Sequence, residues 1–284
     1  EQARLAALDT LSGACFAVAS VQAAAQRTMP PALLASSIVT LKAGEEAPLD
    51  ELTHRLTDAG YERCSQVEGM GQFSVRGGIL DIFPPQAEHP YRVEFWDDEI
   101  DSISTFDVGS QRRLEQCETL RCLPCMEALP SLAKGGAAGL AKAVAALASS
   151  RRKKQHAELQ KNLERDAERL RENGTLPAAD KYLPLIYPQM ATAFDYLPEN
   201  TLILIEDTPR LRAAARDFHA RIADDVTALM ERGEMPGGMD GYALDFAGIC
   251  GIKRQIVRMD SFLNSIPELA PQHLENFVAN QMNA

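Results

Sequence analysis

The chain has 284 residues, of which 45% are hydrophobic, and its formal net charge is -11 at pH 7. That length can bury a core in about two domains, and the acidic balance argues against a broad surface for gripping duplex DNA, which requires a basic stripe. No apolar run approaches the roughly 20 residues of a membrane span, and no leader pattern is present, so we expect a cytoplasmic chain with protein partners.

The first 60 residues predict an α/β pattern. A helix is followed by a strand at 15–19, a second helix and a strand at 38–42. A further helix from about Leu49 to Ala59 is expected to end at Gly60, since glycine favours the end of a helix.

The stretch from Phe73 to Asp107 predicts a compact antiparallel sheet. Apolar and polar residues alternate in it, which is typical of strands that bury one face and expose the other. Gly77-Gly78 indicates a bulge or a close backbone approach, and the prolines from Pro84 to Pro90 indicate a chain reversal. The clearest alternation sets Tyr91, Val93 and Phe95 against Arg92, Glu94 and Trp96.

The outward side of this sheet is a candidate docking surface. Arg92 and Trp96 lie about 13 Å apart along one strand, and Arg76 is expected on the neighbouring strand. Arginine and tryptophan are enriched at interface hot spots. The alternative is that Arg92 pairs with Glu94 or with the acidic run at 97–99, and that Trp96 caps the edge of the core.

The remaining segments predict structural helices and strands that support the sheet and carry no functional site. Leucine stripes indicate helices at about 140–147 and 159–173, and the basic run at 151–154 between them favours a solvated helix face over a phosphate-contacting patch. Beyond it we expect a strand at 201–206, a helix at 209–232, a strand at 255–259 and a final helix at 272–282. The basic run consists of Arg151, Arg152, Lys153 and Lys154.

Two chemical sites are suggested by the sequence and rejected. Cys117, Cys122 and Cys125 have a spacing that fits zinc or iron-sulfur ligands, but no second closely spaced cysteine pair supplies a fourth thiolate, so we expect reduced thiols. Leu202–Ile205 followed by Glu206 and Asp207 is similar to a Walker B strand end. However, no phosphate-binding G-x-x-x-x-G-K-[ST] loop occurs, and Asp207 or Thr208 more simply caps the next helix.

The middle of the chain also resembles a known family. RGGILDIFP at 76–84, PYRVEFWDDEIDSISTFD at 90–107 and SQR at 110–112 are similar to the UvrB-type domain 2 of the bacterial transcription-repair coupling factors, with weaker similarity at 18–31 and 197–210. The resemblance implies a divided, degenerate RecA/helicase-like α/β domain with an inserted, smaller α+β domain. Residues 1–48 would then be the carboxy-terminal part of domain 1a, 49–127 domain 2, and 128–284 domain 1b.

The resemblance also implies a function. Domain 2 would bind UvrA through Arg76, Arg92 and Trp96, with tryptophan where other members have phenylalanine, and would recruit UvrA to stalled transcription complexes. No cofactor is expected in this chain: ATP and magnesium would belong to a motor outside it, as would the contacts with RNA polymerase and DNA. We expect a monomer whose acidic run at 97–99 holds the arginines extended. Replacing any one of the three residues with alanine should weaken binding and leave the fold intact.

Two alternatives remain at this point. The chain could be a fragment of UvrB itself that acts on damaged DNA, or, less simply, a metal or redox protein that uses Cys117, Cys122 and Cys125. The first would require a Walker A loop elsewhere in the full protein, and the second a bound metal.

Overall fold

A computed structural model of the chain describes residues 2–13, 15–150, 157–239 and 241–260, and it is a mixed α/β structure, as predicted. The α-helices are α1 (Gln2–Leu11), α2 (Val21–Ala25), α3 (Pro31–Ser37), α4 (Leu49–Asp58), α5 (Gly136–Ser150), α6 (Ala157–Asn173), α7 (Leu183–Ile186), α8 (Thr208–Glu231) and α9 (Phe246–Cys250). The strands are β1 (Val39–Lys42), β2 (Glu62–Arg63), β3 (Gln72–Arg76), β4 (Ile79–Ile82), β5 (Tyr91–Trp96), β6 (Glu99–Phe106), β7 (Arg113–Cys117), β8 (Thr119–Cys122), β9 (Leu202–Glu206) and β10 (Gln255–Met259).

Two large hydrophobic cores organise the molecule. The first is mainly helical and joins α1, α3, α5, α6 and α7. Its helices follow the leucine stripes of the sequence, and Leu140, Leu159 and Leu163 are buried in it. The second core packs α4 against the sheet and includes β1 and β8.

The central sheet has six strands in the order β2-β3-β4-β5-β6-β7 and is antiparallel except where β2 pairs with β3. The β3–β4 hairpin turns at Gly77-Gly78, where Gly77 has φ of +59°. A Cβ on Gly78 would lie 3.0 Å from the Phe95 carbonyl oxygen, so glycine is required there for the close backbone approach that the sequence predicts.

The carboxy-terminal part contains a parallel pair, β9 and β10, connected through α8. The Asp207 side chain accepts a hydrogen bond from the Arg210 backbone amide and caps α8, and Pro209 lies in the first turn. The predicted capping role of Asp207 is confirmed, as are both strands.

The strand predicted at 15–19 does not form. Residues 15–20 have no regular secondary structure, and Phe16 and Val18 are 89% and 88% exposed. Apolar alternation favours a strand, but a strand also needs a neighbour to satisfy its backbone groups, and no described strand pairs with this segment.

The domain boundaries stay a prediction. In the structure, however, β1 pairs with β8, and Val39 and Leu41 pack in the sheet core, ahead of the predicted boundary at 48. The basic run at 151–154 and the helix expected at 272–282 lie outside the described residues. Among the helices that are described, none combines the length and the apolar character needed to cross a membrane.

Candidate functional site

The alternation predicted for β5 is present. Val93 is buried and Phe95 packs against the sheet core, while Arg92, Glu94 and Trp96 lie on the opposite face. A bulge in β6 lets both Ile100 and Ile103 reach the core despite their spacing of three residues. We call the opposite side the arginine face and define it by Arg76, Asp81, Arg92, Glu94 and Trp96.

Asp81 on β4 connects the two arginines of this face. Its side chain is 1% exposed and accepts hydrogen bonds from Arg92 Nε at 2.7 Å and Arg92 Nη2 at 2.8 Å. Arg76 Nη2 donates to the same carboxylate at 2.7 Å. The register of β3, β4 and β5 explains why these side chains are in contact. Asp81 is directly opposite Arg92 on β5, and Arg76 lies on β3, the other neighbour of β4.

Arg92 is held from several sides. Its guanidinium carbon lies 4.6 Å from the centroid of the buried Phe106 ring, which is within cation–π range. Arg92 Nη2 also donates to Gln111 Oε1 at 3.3 Å. Hydrogen bonding to Asp81 raises the pKa of Arg92, so this side chain is a fixed positive charge.

The expectation that the whole arginine face looks toward solvent is therefore wrong. Ser74 and Ser104, in the same row as Asp81 and Arg92, are each 1% exposed. A small cluster of Val67, Phe83 and Phe106 forms a further core in this part of the domain. Arg92 is consequently part of a packed region, whereas Arg76 is about half exposed.

The other expected partners of the arginines are also corrected. Glu94 does not pair with Arg92: it accepts from Arg113 Nη2 at 2.6 Å and from the Ser102 hydroxyl at 3.0 Å. The Arg113 hydrogen bond holds the pKa of Glu94 below its ordinary value. The carboxylate that holds Arg76 and Arg92 is Asp81, and not the acidic run at 97–99.

Trp96 lies at the end of β5 and is 82% exposed. The next residue, Asp97, has φ of +56° and starts the tight turn into β6, where Trp96 is opposite Glu99. The alternative that Trp96 caps the edge of the core is wrong, because a capping side chain would be mostly buried. The structure thus brings Arg76 and Arg92 together and leaves Trp96 as a separate, projecting ring.

Asp81 is the residue that the sequence reasoning missed. It is an acidic residue between Leu80 and Ile82, which are both fully buried. A charge inside a buried apolar strand must be paired, and the two arginines on neighbouring strands were the available partners. That pattern could have identified the cluster before the structure.

The six cysteines are all free thiols. Among the described residues, no group of three His, Cys, Asp or Glu side chains is placed to hold a metal ion. Burial raises the pKa of the Cys125 thiol to about 12 and raises that of Cys122 as well, so both stay protonated at neutral pH. A raised pKa disfavours the thiolate, which is the nucleophile and the metal ligand, so neither of these two thiols is activated for metal or redox chemistry.

The exposed and the buried cysteines should therefore differ in their rate of alkylation. At pH 8 we expect iodoacetamide to modify the exposed Cys15 at least roughly tenfold faster than Cys122 or Cys125, because the reactive thiolate fraction falls about tenfold for each unit of raised pKa. Mass spectrometry of timed samples measures the rates. All six thiols should react after denaturation without reductant, and equal native rates for Cys15 and Cys122 would contradict the burial argument.

Comparison with known proteins gives a consistent result. Residues 39–127 match the UvrB interaction domain family. The chain is similar to the transcription-repair-coupling factor of Bacillus subtilis, with 32% identity over 270 residues, which is 92% of this chain and 23% of that protein. It is 35% identical over 216 residues to the factor of Escherichia coli (74% and 17%) and 37% identical over 180 residues to that of Haemophilus influenzae (63% and 15%). The chain thus spans less than a quarter of each relative.

Proposed function

Since this chain is homologous to the amino-terminal, UvrB-like module of the transcription-repair-coupling factors, we propose that it is a non-catalytic docking module that binds UvrA and recruits it to stalled transcription complexes. Residues 39–127, which match the UvrB interaction domain, would be the part that binds. Similarity to the coupling factors of Bacillus subtilis, Escherichia coli and Haemophilus influenzae favours this function over that of a UvrB fragment.

Trp96 is the observation that carries the proposal. An indole ring that is 82% exposed does not contribute to the core, and it shares a face with two arginines that a buried carboxylate holds in place. Large aromatic and arginine side chains are the usual anchors of protein interfaces. Arg76, Arg92 and Trp96 are therefore the proposed UvrA-binding residues.

The remaining parts of the chain would act as a support for this domain. The β9-α8-β10 unit is parallel, as in RecA-like domains, and we propose that 1–48 and 128–284 form a divided, degenerate domain of that type with 49–127 inserted. Contacts with RNA polymerase and with DNA, and the ATP-dependent motor, would lie in other regions of a longer protein.

The direct test is a calorimetric titration of purified UvrA into the chain. We expect saturable binding, and we expect a truncated protein of residues 39–127 to retain it if the sheet core folds independently. Absence of binding by the full chain, with a normal circular dichroism spectrum, would contradict the proposed function. A parallel titration in which ATP replaces UvrA as the titrant tests whether a nucleotide is the ligand instead.

No ATP binding or hydrolysis is expected from this chain. The sequence has no phosphate-binding loop with its lysine. The Asp207 carboxylate, at the end of the strand, accepts a backbone hydrogen bond as the N-cap of α8. A titration with magnesium and ATP should give only the heat of dilution. A stoichiometric binding signal, or phosphate release that survives a second purification, would contradict this prediction.

A further inference from the structure

Asp81 connects two of the three proposed UvrA-binding residues, Arg76 and Arg92. The carboxylate is nearly fully buried and is shared by a mostly buried arginine and a half-exposed arginine. Arg92 donates to Asp81 from both Nε and Nη2, which is the two-bond geometry that fixes orientation as well as charge, whereas Arg76 donates from Nη2.

The two arginines differ in what remains for a partner. Arg92 donates hydrogen bonds from Nε and Nη2 to Asp81, and Nη2 also donates to the side chain of Gln111. Arg76 donates to Asp81 through Nη2 alone. Within the described part of the chain, Arg76 Nε and Nη1 contact no hydrogen-bond acceptor, and the side chain is 49% exposed.

We propose that Asp81 is a positioning residue for UvrA docking, which holds Arg92 in the face and turns the remaining N–H donors of Arg76 toward the partner. The inference rests on the proposed function and gives a physical reason for the affinity of the chain for UvrA. An arginine that is already ordered loses less conformational freedom on binding than a freely rotating one. The group that Arg76 meets on the partner must be a hydrogen-bond acceptor, because guanidinium has donors only.

The test compares Asp81→Asn with Asp101→Asn in calorimetric titrations with UvrA. Both variants lose one negative charge, but Asp101 is an exposed residue of the β6 bulge and not a member of the arginine face. We expect Asp81→Asn to weaken UvrA binding roughly tenfold, since two arginine side chains then have to be ordered on binding. Asp101→Asn should bind within about twofold of the wild-type chain.

A positioning role also predicts that the effects are not additive. In the Arg76→Ala background, Asp81→Asn should cost at least about threefold less affinity than in the wild-type background, because the residue it positions is gone. Equal effects in both backgrounds would overturn the inference, as would unchanged or tighter binding by Asp81→Asn. Normal binding by Arg76→Ala and Trp96→Ala would show that UvrA docks on another surface, whereas absence of binding by the wild-type chain would contradict the proposed function itself, so the two failures are distinguishable.

A second measurement does not depend on the folding of any variant. In the free wild-type chain, the Arg92 Nε–H should give a protected resonance in 15N-correlated NMR spectra, because it donates to a buried carboxylate. Fast exchange of this proton with water would show that Asp81 does not hold Arg92, and the inference would be overturned.

Discussion

Replacing Arg92 with alanine should lower the free energy of unfolding of this chain by about 3 kcal/mol. The substitution leaves Asp81 buried at 1% exposure with only the half-exposed Arg76 to compensate its charge. It also removes the cation–π contact with Phe106. Urea denaturation followed by circular dichroism measures the change, and a loss under about 1 kcal/mol would contradict the account of the cluster.

Two variants make this result specific to the buried charge. Arg76→Ala should cost about 1 kcal/mol or less, because Asp81 keeps both hydrogen bonds from Arg92. The double variant Arg92→Ala/Asp81→Ala should be more stable than Arg92→Ala by at least about 1 kcal/mol, since the uncompensated carboxylate is removed. A double variant as unstable as the single one would mean that packing, and not charge, explains the loss.

Replacing Trp96 with alanine should weaken UvrA binding by about 2 kcal/mol, which is roughly thirtyfold in the dissociation constant. The folded chain should be unaffected within about 0.5 kcal/mol, because the indole is 82% exposed and contributes little to the core. Calorimetric titration with UvrA gives the affinity, and thermal melts give the stability.

The controls for Trp96 use residues of similar character. Trp96→Phe keeps a flat apolar ring and should stay within about fivefold of wild-type affinity, since part of the buried area remains. Met70→Ala removes another exposed apolar side chain, 52% exposed and outside the arginine face, and should change neither affinity nor stability. Equal affinities for Trp96→Ala and Met70→Ala would rule out a hot spot at Trp96.

The exposure of the three proposed binding residues changes the expectation that each can be replaced without effect on the fold. Strand alternation alone suggests that alanine at any of the three residues leaves the fold intact. From their exposure we still expect this for Trp96 and approximately for Arg76, but Arg92 is only 19% exposed and contacts a buried carboxylate. A loss of UvrA binding in Arg92→Ala would therefore mix unfolding with lost contacts, so Trp96 is the better probe of docking.

Local pattern predicted most of the fold because the relevant information was local. The helix α4, which Gly60 follows closely, and the helix capped by Asp207 have their signals within a few residues, and the alternation of β5 follows from its period of two. The matching motifs of the family added the expected binding residues, which no spacing argument could supply.

Pairing between distant segments could not be predicted in the same way. The segment at 15–19 has the alternation of a strand, but no described strand pairs with it. Ser74 is buried where its hydroxyl donates to the carbonyl of Ser65, and Arg92 lies over Phe106 of a separate apolar cluster. The contact of Asp81 with two arginines depends on the register of three strands, and the sequence alone does not specify that register.

Oxidative footprinting of Trp96 in the presence of UvrA tests the central claim most directly. Trp96 is the single tryptophan of the chain, so its oxidation can be followed without ambiguity by mass spectrometry of the peptides. We expect UvrA to protect Trp96 strongly and to leave oxidation of the exposed Met70 unchanged in the same sample. Binding of UvrA with Trp96 still fully oxidised would contradict the assignment of this face as the docking surface.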